Sequence, residues 1–119
     1  VPIDAALTDT LPRAVDHLAT SADSADHIAE LVESGLSEDA RDLLGAFGIR
    51  VGARRLADAS TSLARLGLER AAAVALAQAR IVGGLQHPLA RGDDATLARE
   101  IRRLGPGYAR LREALVRDL

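Results

Sequence analysis

Asp23, His27 and Glu30 are spaced at i, i+4 and i+7, so on a helix two carboxylates and an imidazole would project from one face toward a common point. That trio is the chemistry of a divalent-cation site. Metal sites in helical bundles draw their ligands from facing helices, typically with a Glu-x-x-His pair, and no such pair or second acidic cluster occurs elsewhere in the chain. The expectation is therefore a solvated acidic face carrying a surface histidine, with no metal, and Asp23, His27 and Glu30 are kept only as candidate ligands. Nucleophilic catalysis has even less support. There is no Cys, His17 and His87 have no Ser placed by spacing as a nucleophile, and His87 precedes Pro88. Arg80 and His87 have the residue types of an Arg-His nuclease pair, but Gly83-Gly84 between them is expected to interrupt the helix that would align them.

Phosphate chemistry is equally unsupported. Gly45, Gly48 and Gly52 do not have the dinucleotide-binding spacing and follow no strand, and without Lys there is no Walker lysine. No catalytic residue and no cofactor are expected. What the residues do show is a segregation of charge. Residues 1–49 hold ten acids and two arginines, a balance of −8, whereas residues 50–119 hold seven acids and thirteen arginines, a balance of +6. Unlike blocks on one chain attract each other, a second copy, or a partner. Every basic residue is Arg; together with the lack of Lys and Asn, this reads as the codon bias of a G+C-rich, bacterial genome, so the arginines alone do not argue for phosphate recognition.

The elements that must carry these residues are helical. Leu11, Val15, Leu18, Ala22, Ala25, Ala29 and Val32 recur at alternating spacings of four and three, one apolar stripe on a long first helix, with Thr10 as N-cap, Pro12 in the first turn and Gly35 as the stop. Ser37 caps a second helix expected to turn Ala40, Leu43, Leu44 and Phe47 inward and to break or kink near Gly48. A third runs from about Val51 to Leu66. Residues 68–82 are apolar on almost every side and predict a central Ala-rich helix ended by Gly83-Gly84, followed by a loop from Leu85 to Gly92. Asp93 or Asp94 then caps a last helix in which Leu97, Ile101, Leu104, Tyr108, Leu111, Leu115 and Leu119 keep one phase through Gly105-Pro106-Gly107.

The β-branched residues are scattered and aromatics few, so the expected fold is all-α: one compact domain over 1–119, a bundle of four to six helices, with residues 1–9 as an extended or disordered arm. The longest uncharged runs are about half the roughly 18–20 residues of a spanning helix, so no membrane insertion is expected and the location is read as cytoplasmic. The chain opens Val1-Pro2; a processed product, a trimmed chain and the ordered part of something longer all fit that start.

Pro88, Ala90, Arg91, Gly92, Asp93, Thr96, Tyr108 and Leu111 form a pattern that resembles the C-terminal helical domain of a family of Rossmann-like, NAD(P)-dependent-oxidoreductase-like proteins. It spans about a quarter of the chain. The resemblance implies a substrate-binding or dimerisation domain without its nucleotide-binding partner, with contacts near Arg91, Asp93 and Asp94. The residues themselves favour a non-catalytic helical domain for protein association, homo-oligomerisation included, through the acidic N-terminal and Arg-rich C-terminal surfaces. Arg99, Arg102, Arg103 and Arg110 flank the last stripe as contacts for a partner. Nucleic-acid binding ranks third, because acids interleave with those arginines and only one aromatic accompanies them.

Overall fold

The computed structural model describes residues 24–118, and every regular element in them is helical. The order is α1 (24–33), α2 (Glu38–Leu43), a π-helical turn (Leu44–Ile49) leading into α3 (Arg50–Arg65), then α4 (Glu69–Gly84), α5 (Gln86–Arg91) and α6 (Asp94–Asp118). The all-α bundle is thus as the periodicity predicts. The stripe positions Leu11 to Ala22, the cap at Thr10, the arm 1–9, and Leu119 lie outside the described residues.

Local chemistry explains where the helices begin and end. Ser37 Oγ accepts the Ala40 N–H at 3.2 Å, and Glu38 and Asp39 follow in the first turn, where the positive end of the helix dipole favours them. α3 ends in a Schellman turn: Leu68 N–H donates to Leu63 O and Gly67 N–H to Ala64 O, with Gly67 at φ 80°. Leu63 and Leu68 belong to one apolar cluster, the contact that usually accompanies this cap. α5 ends the same way, Asp93 N–H donating to Pro88 O and Gly92 N–H to Leu89 O, with Gly92 left-handed at φ 69°.

Two expectations about helix continuity are corrected. The glycines at 45, 48 and 52 do not break the chain; the helix passes from α2 to α3 through six π-helical residues. A π turn takes about one more residue than an α turn, so Leu44 and Ile49, five apart, both reach the core side. The Gly45 carbonyl accepts the Arg50 N–H and also Gln86 Nε2 at 2.8 Å, a contact from α5 that fixes the turn. The same change of period turns Leu43 and Phe47 outward, at 59% and 66% exposure, contrary to the inward placement expected for them. The segment 85–92 is likewise not a loop. Pro88 sits in the first turn of α5, where its missing N–H would have no intrahelical partner, and α4 ends at Gly84, the stop that Gly83-Gly84 predict.

α4 lies between α3 and α6, as expected of a central helix. Its buried side is Ala71, Ala72, Ala75, Gln78, Ala79 and Val82, and the four alanines let both neighbours approach closely. Its remaining side reaches solvent. Ser60 on α3 donates to the Ala72 carbonyl at 2.7 Å across this seam. α6 runs through Pro106 as one helix, which keeps the stripe in phase across the Gly-Pro-Gly segment. Opposite it, the fully buried Gln78 donates from Nε2 to the Leu104 carbonyl at 2.9 Å.

The main core joins Ala25, Ala29 and Val32 of α1 to Ile49, to Val82 and Leu85, and to Leu97, Ala98, Ile101 and Leu104 of α6. A second cluster holds Leu68, Ala71, Ala75, Leu111 and Leu115 at the other end of α4 and α6.

Candidate functional site

A groove of about 210 Å³ opens between α1 and the π-helical turn. Its described walls are Ser24, Ala25 and Ile28 on one side and Leu44, Gly48 and Gly52 on the other; Val82, Leu85, Ile101 and Leu104 form the floor, with Tyr108 at one end. Gly48 and Gly52 fall one turn apart and present no side chain; the Leu44 side chain fills the space beside Gly48, and Val82 of the floor comes within contact distance of position 52.

The flanks of this groove are apolar and exposed. Leu31 follows Ile28 by three residues on α1, and Leu43 and Phe47 each precede a wall residue, Leu44 and Gly48. All four large side chains are more than a third exposed. Single exposed leucines need no explanation, but one exposed groove residue and three more large apolar groups exposed on the segments that form its walls, in a fold whose seams are built of alanine, mark a surface made to be covered. Tyr108 is the only tyrosine of the chain, and burial pushes its phenol above the usual value of 10.0. The groove shows no cluster of three or more His, Asp or Glu among the described residues, and nothing in its lining supplies a nucleophile with a base.

The charged residues singled out from sequence occupy other places. His27 and Glu30 are exposed on α1, and Asp23 lies outside the described residues. Arg102 pairs with Glu33 of α1, and Arg103 with Glu100 within α6 at 2.7 Å. The two charge blocks therefore meet within one chain at Glu33. A second cross-link has the opposite polarity: Arg41, the one described arginine of the acidic block, donates from Nη2 to both Asp94 carboxylate oxygens at 2.6 Å. Nothing in sequence spacing signals a contact between residues 53 positions apart. Arg99 and Arg110 are exposed and make no ion pair among the described residues.

The Pro88 to Thr96 pattern is a device for joining two helices. Pro88 starts and Gly92 closes α5, and Asp93 caps α6 by accepting the Thr96 N–H at 3.2 Å. Arg91 Nη1 lies 3.3 Å from His87 Nε2 on the exposed side of α5, and none of residues 87–96 lines the groove. Hydrogen bonds from Thr96, then the charges of Arg91 and Arg99, hold the Asp93 carboxyl below its usual value of 3.8. A carboxylate with a lowered pKa in the folded state stabilises the fold above its unfolded pKa and loses that contribution as pH falls through the folded value. In thermal unfolding, the gap between wild type and Asp93→Ala is expected to stay constant near neutral pH and to shrink below about pH 4. Asp93→Asn keeps an acceptor and does not titrate, so its gap to wild type should start smaller and shrink over the same pH range.

Fold and site together define a small all-α domain that presents an apolar groove and no catalytic constellation among its described residues. The chain belongs to the YobF C-terminal domain family, whose model matches residues 15–116. No curated protein and no solved structure matches it. No helix among the described residues is long and apolar enough to cross a membrane.

Proposed function

We propose that this domain is non-catalytic and works by protein association, with itself or with a partner, through the face formed by α1, α2 and the π-helical turn. One observation carries the reading: Ile28 stands exposed in the groove lining, and Leu31, Leu43 and Phe47 stand exposed on the segments that carry its two walls. The charge segregation supports it by giving the association a preferred orientation, acidic on the groove side and Arg-rich along α6.

Phe47→Ser tests whether this face belongs to a partner or to the fold. Because Phe47 is two-thirds exposed, its loss is expected to change unfolding free energy by less than about 0.5–1 kcal/mol in urea titration. A loss of several kcal/mol would place Phe47 inside the fold and defeat the reading. Light scattering over a concentration series separates the two kinds of partner. Mass that grows at low salt and falls on adding salt marks contact between the acidic face of one copy and the arginines of another. A strict monomer under both conditions removes self-association.

A further inference from the structure

We propose that the groove docks a basic amphipathic helix of a partner protein, apolar side down and cationic flanks against α1 and α2. The inference rests on the association reading above and names the partner class. Helices seat in grooves by placing anchors at i, i+3, i+4 and i+7, and this groove offers a matching form: Ile28 exposed on one wall, the half-buried Leu44 on the other, an aliphatic floor, and Leu31, Leu43 and Phe47 exposed on the segments that carry the walls. Its volume of about 210 Å³ is below the roughly 300–1,000 Å³ of pockets that enclose small-molecule ligands, and suits an inserted side chain.

Charge selects the kind of helix. Asp26 and Glu30 on α1 and Glu38, Asp39 and Asp42 on α2 are exposed and make no ion pair among the described residues. In the described part of the acidic block the only arginine, Arg41, is held by Asp94, so α1 and α2 offer several carboxylates outside ion pairs and no such arginine, while the nearest exposed arginines, Arg50, Arg54 and Arg55, stand on α3. Two copies pairing through the same face would set carboxylates against carboxylates, which is unfavourable. A second copy's α6 carries arginines, but its apolar stripe is already buried in its own core and Val116 is its one exposed large apolar residue among those described, short of the series of anchors a groove takes. A separate helix with Leu-like anchors and Lys or Arg flanks satisfies both the groove and the carboxylates.

The chain has one Tyr and no Trp, so the intrinsic emission of the full 119-residue protein reports Tyr108 at the end of the groove alone. Three synthetic helices without aromatic residues serve as probes: Leu/Lys amphipathic, Leu/Glu with the same apolar side, and Ser/Lys with the same charge. The Leu/Lys peptide is expected to change Tyr108 emission and to bind at least about tenfold more tightly than either other peptide. Phe47→Asp should weaken it by a further about tenfold while leaving the fold unchanged by circular dichroism.

Equal binding of the Leu/Glu peptide would overturn the basic partner and leave the association reading intact. Equal binding of the Ser/Lys peptide, insensitive to Phe47→Asp, would show charge attraction without the groove and overturn the proposal. If the Leu/Lys peptide fails to bind while Phe47→Asp converts an oligomer to a monomer, the occupant is a second copy. No peptide binding together with a strict monomer would defeat both the proposal and the association reading.

Discussion

Gly107→Ala is expected to destabilise the domain by about 3 kcal/mol, a large effect for one methyl group on a helix where alanine is intrinsically preferred. A Cβ at this position would fall 1.8 Å from Gln78 Oε1 and 2.3 Å from Gln78 Cδ, far inside contact distance. The end of a glutamine side chain normally moves aside, but Gln78 is 1% exposed and holds the Leu104 carbonyl through its Nε2. Displacing it strands a buried amide and a carbonyl, at about 1–3 kcal/mol for each group left unsatisfied, and pushes α6 away from α4.

The cause can be isolated by a double-mutant cycle. Gln78→Ala alone removes the hydrogen bond and some packing, and should cost about 2 kcal/mol. The three atoms closest to the added Cβ all belong to the Gln78 side chain beyond its Cβ, so in that background these clashes are gone. There it should become neutral or stabilising by up to about 1 kcal/mol, since Gly-to-Ala in a helix interior favours the folded state. Urea unfolding of the four proteins measures the coupling. A Gly107→Ala cost that persists in the Gln78→Ala background would show that Gly107 is required by the backbone next to Pro106, and that Gln78 is incidental.

This close approach also shows which parts of the fold sequence reasoning reaches. Ser37, Gly35, Gly67 and Asp93 are legible as helix signals because a cap is decided by residues within four positions of itself. The stripe on α6 is legible through Pro106 because Leu104, Leu111 and Leu115 keep their phase regardless of one missing N–H. The outward turn of Leu43 and Phe47 is not legible. It depends on a π-helical turn held by Gln86 on the Gly45 carbonyl, 41 residues away, and on Leu89, whose Cδ2 would lie 3.2 Å from a Cβ at position 45. An α-period applied across residues 40–47 therefore hides the exposed pair that flanks the groove. On α1 the analogous signal was present: Ile28 and Leu31 sit beside the 4-and-3 stripe and make its apolar face wider than the core needs. The charge segregation was readable as composition, but Arg41 with Asp94 runs against it, because pairing is set by which side chains the folded helices bring together.

Leu97→Ala should cost more than Ile101→Ala, although both residues are at most 2% exposed and both join the same core. Leu97 is fully buried and does not line the groove, so its removal leaves a closed void among α1, α4 and α6; large-to-Ala changes of this kind cost about 3–5 kcal/mol where the surroundings cannot collapse. The alanines at 25, 29 and 98 around it have no rotamers with which to fill that space. Against a typical domain stability of about 5–15 kcal/mol, Leu97→Ala alone brings the protein close to unfolding at ordinary temperatures. Ile101 is part of the groove floor, so its truncation deepens an opening that solvent already reaches, and the loss should fall nearer about 2–3 kcal/mol. The two variants also separate packing from docking. Ile101→Ala should shift the preferred anchor of a docked helix from a Leu-sized to a larger side chain, measured by the Tyr108 emission titration, whereas Leu97→Ala in any surviving folded fraction should leave that preference unchanged. Equal losses of stability with unchanged anchor preference in both would mean that the floor at Ile101 is sealed from the groove, and that the anchor is set by Leu44 and Ile28 on its walls.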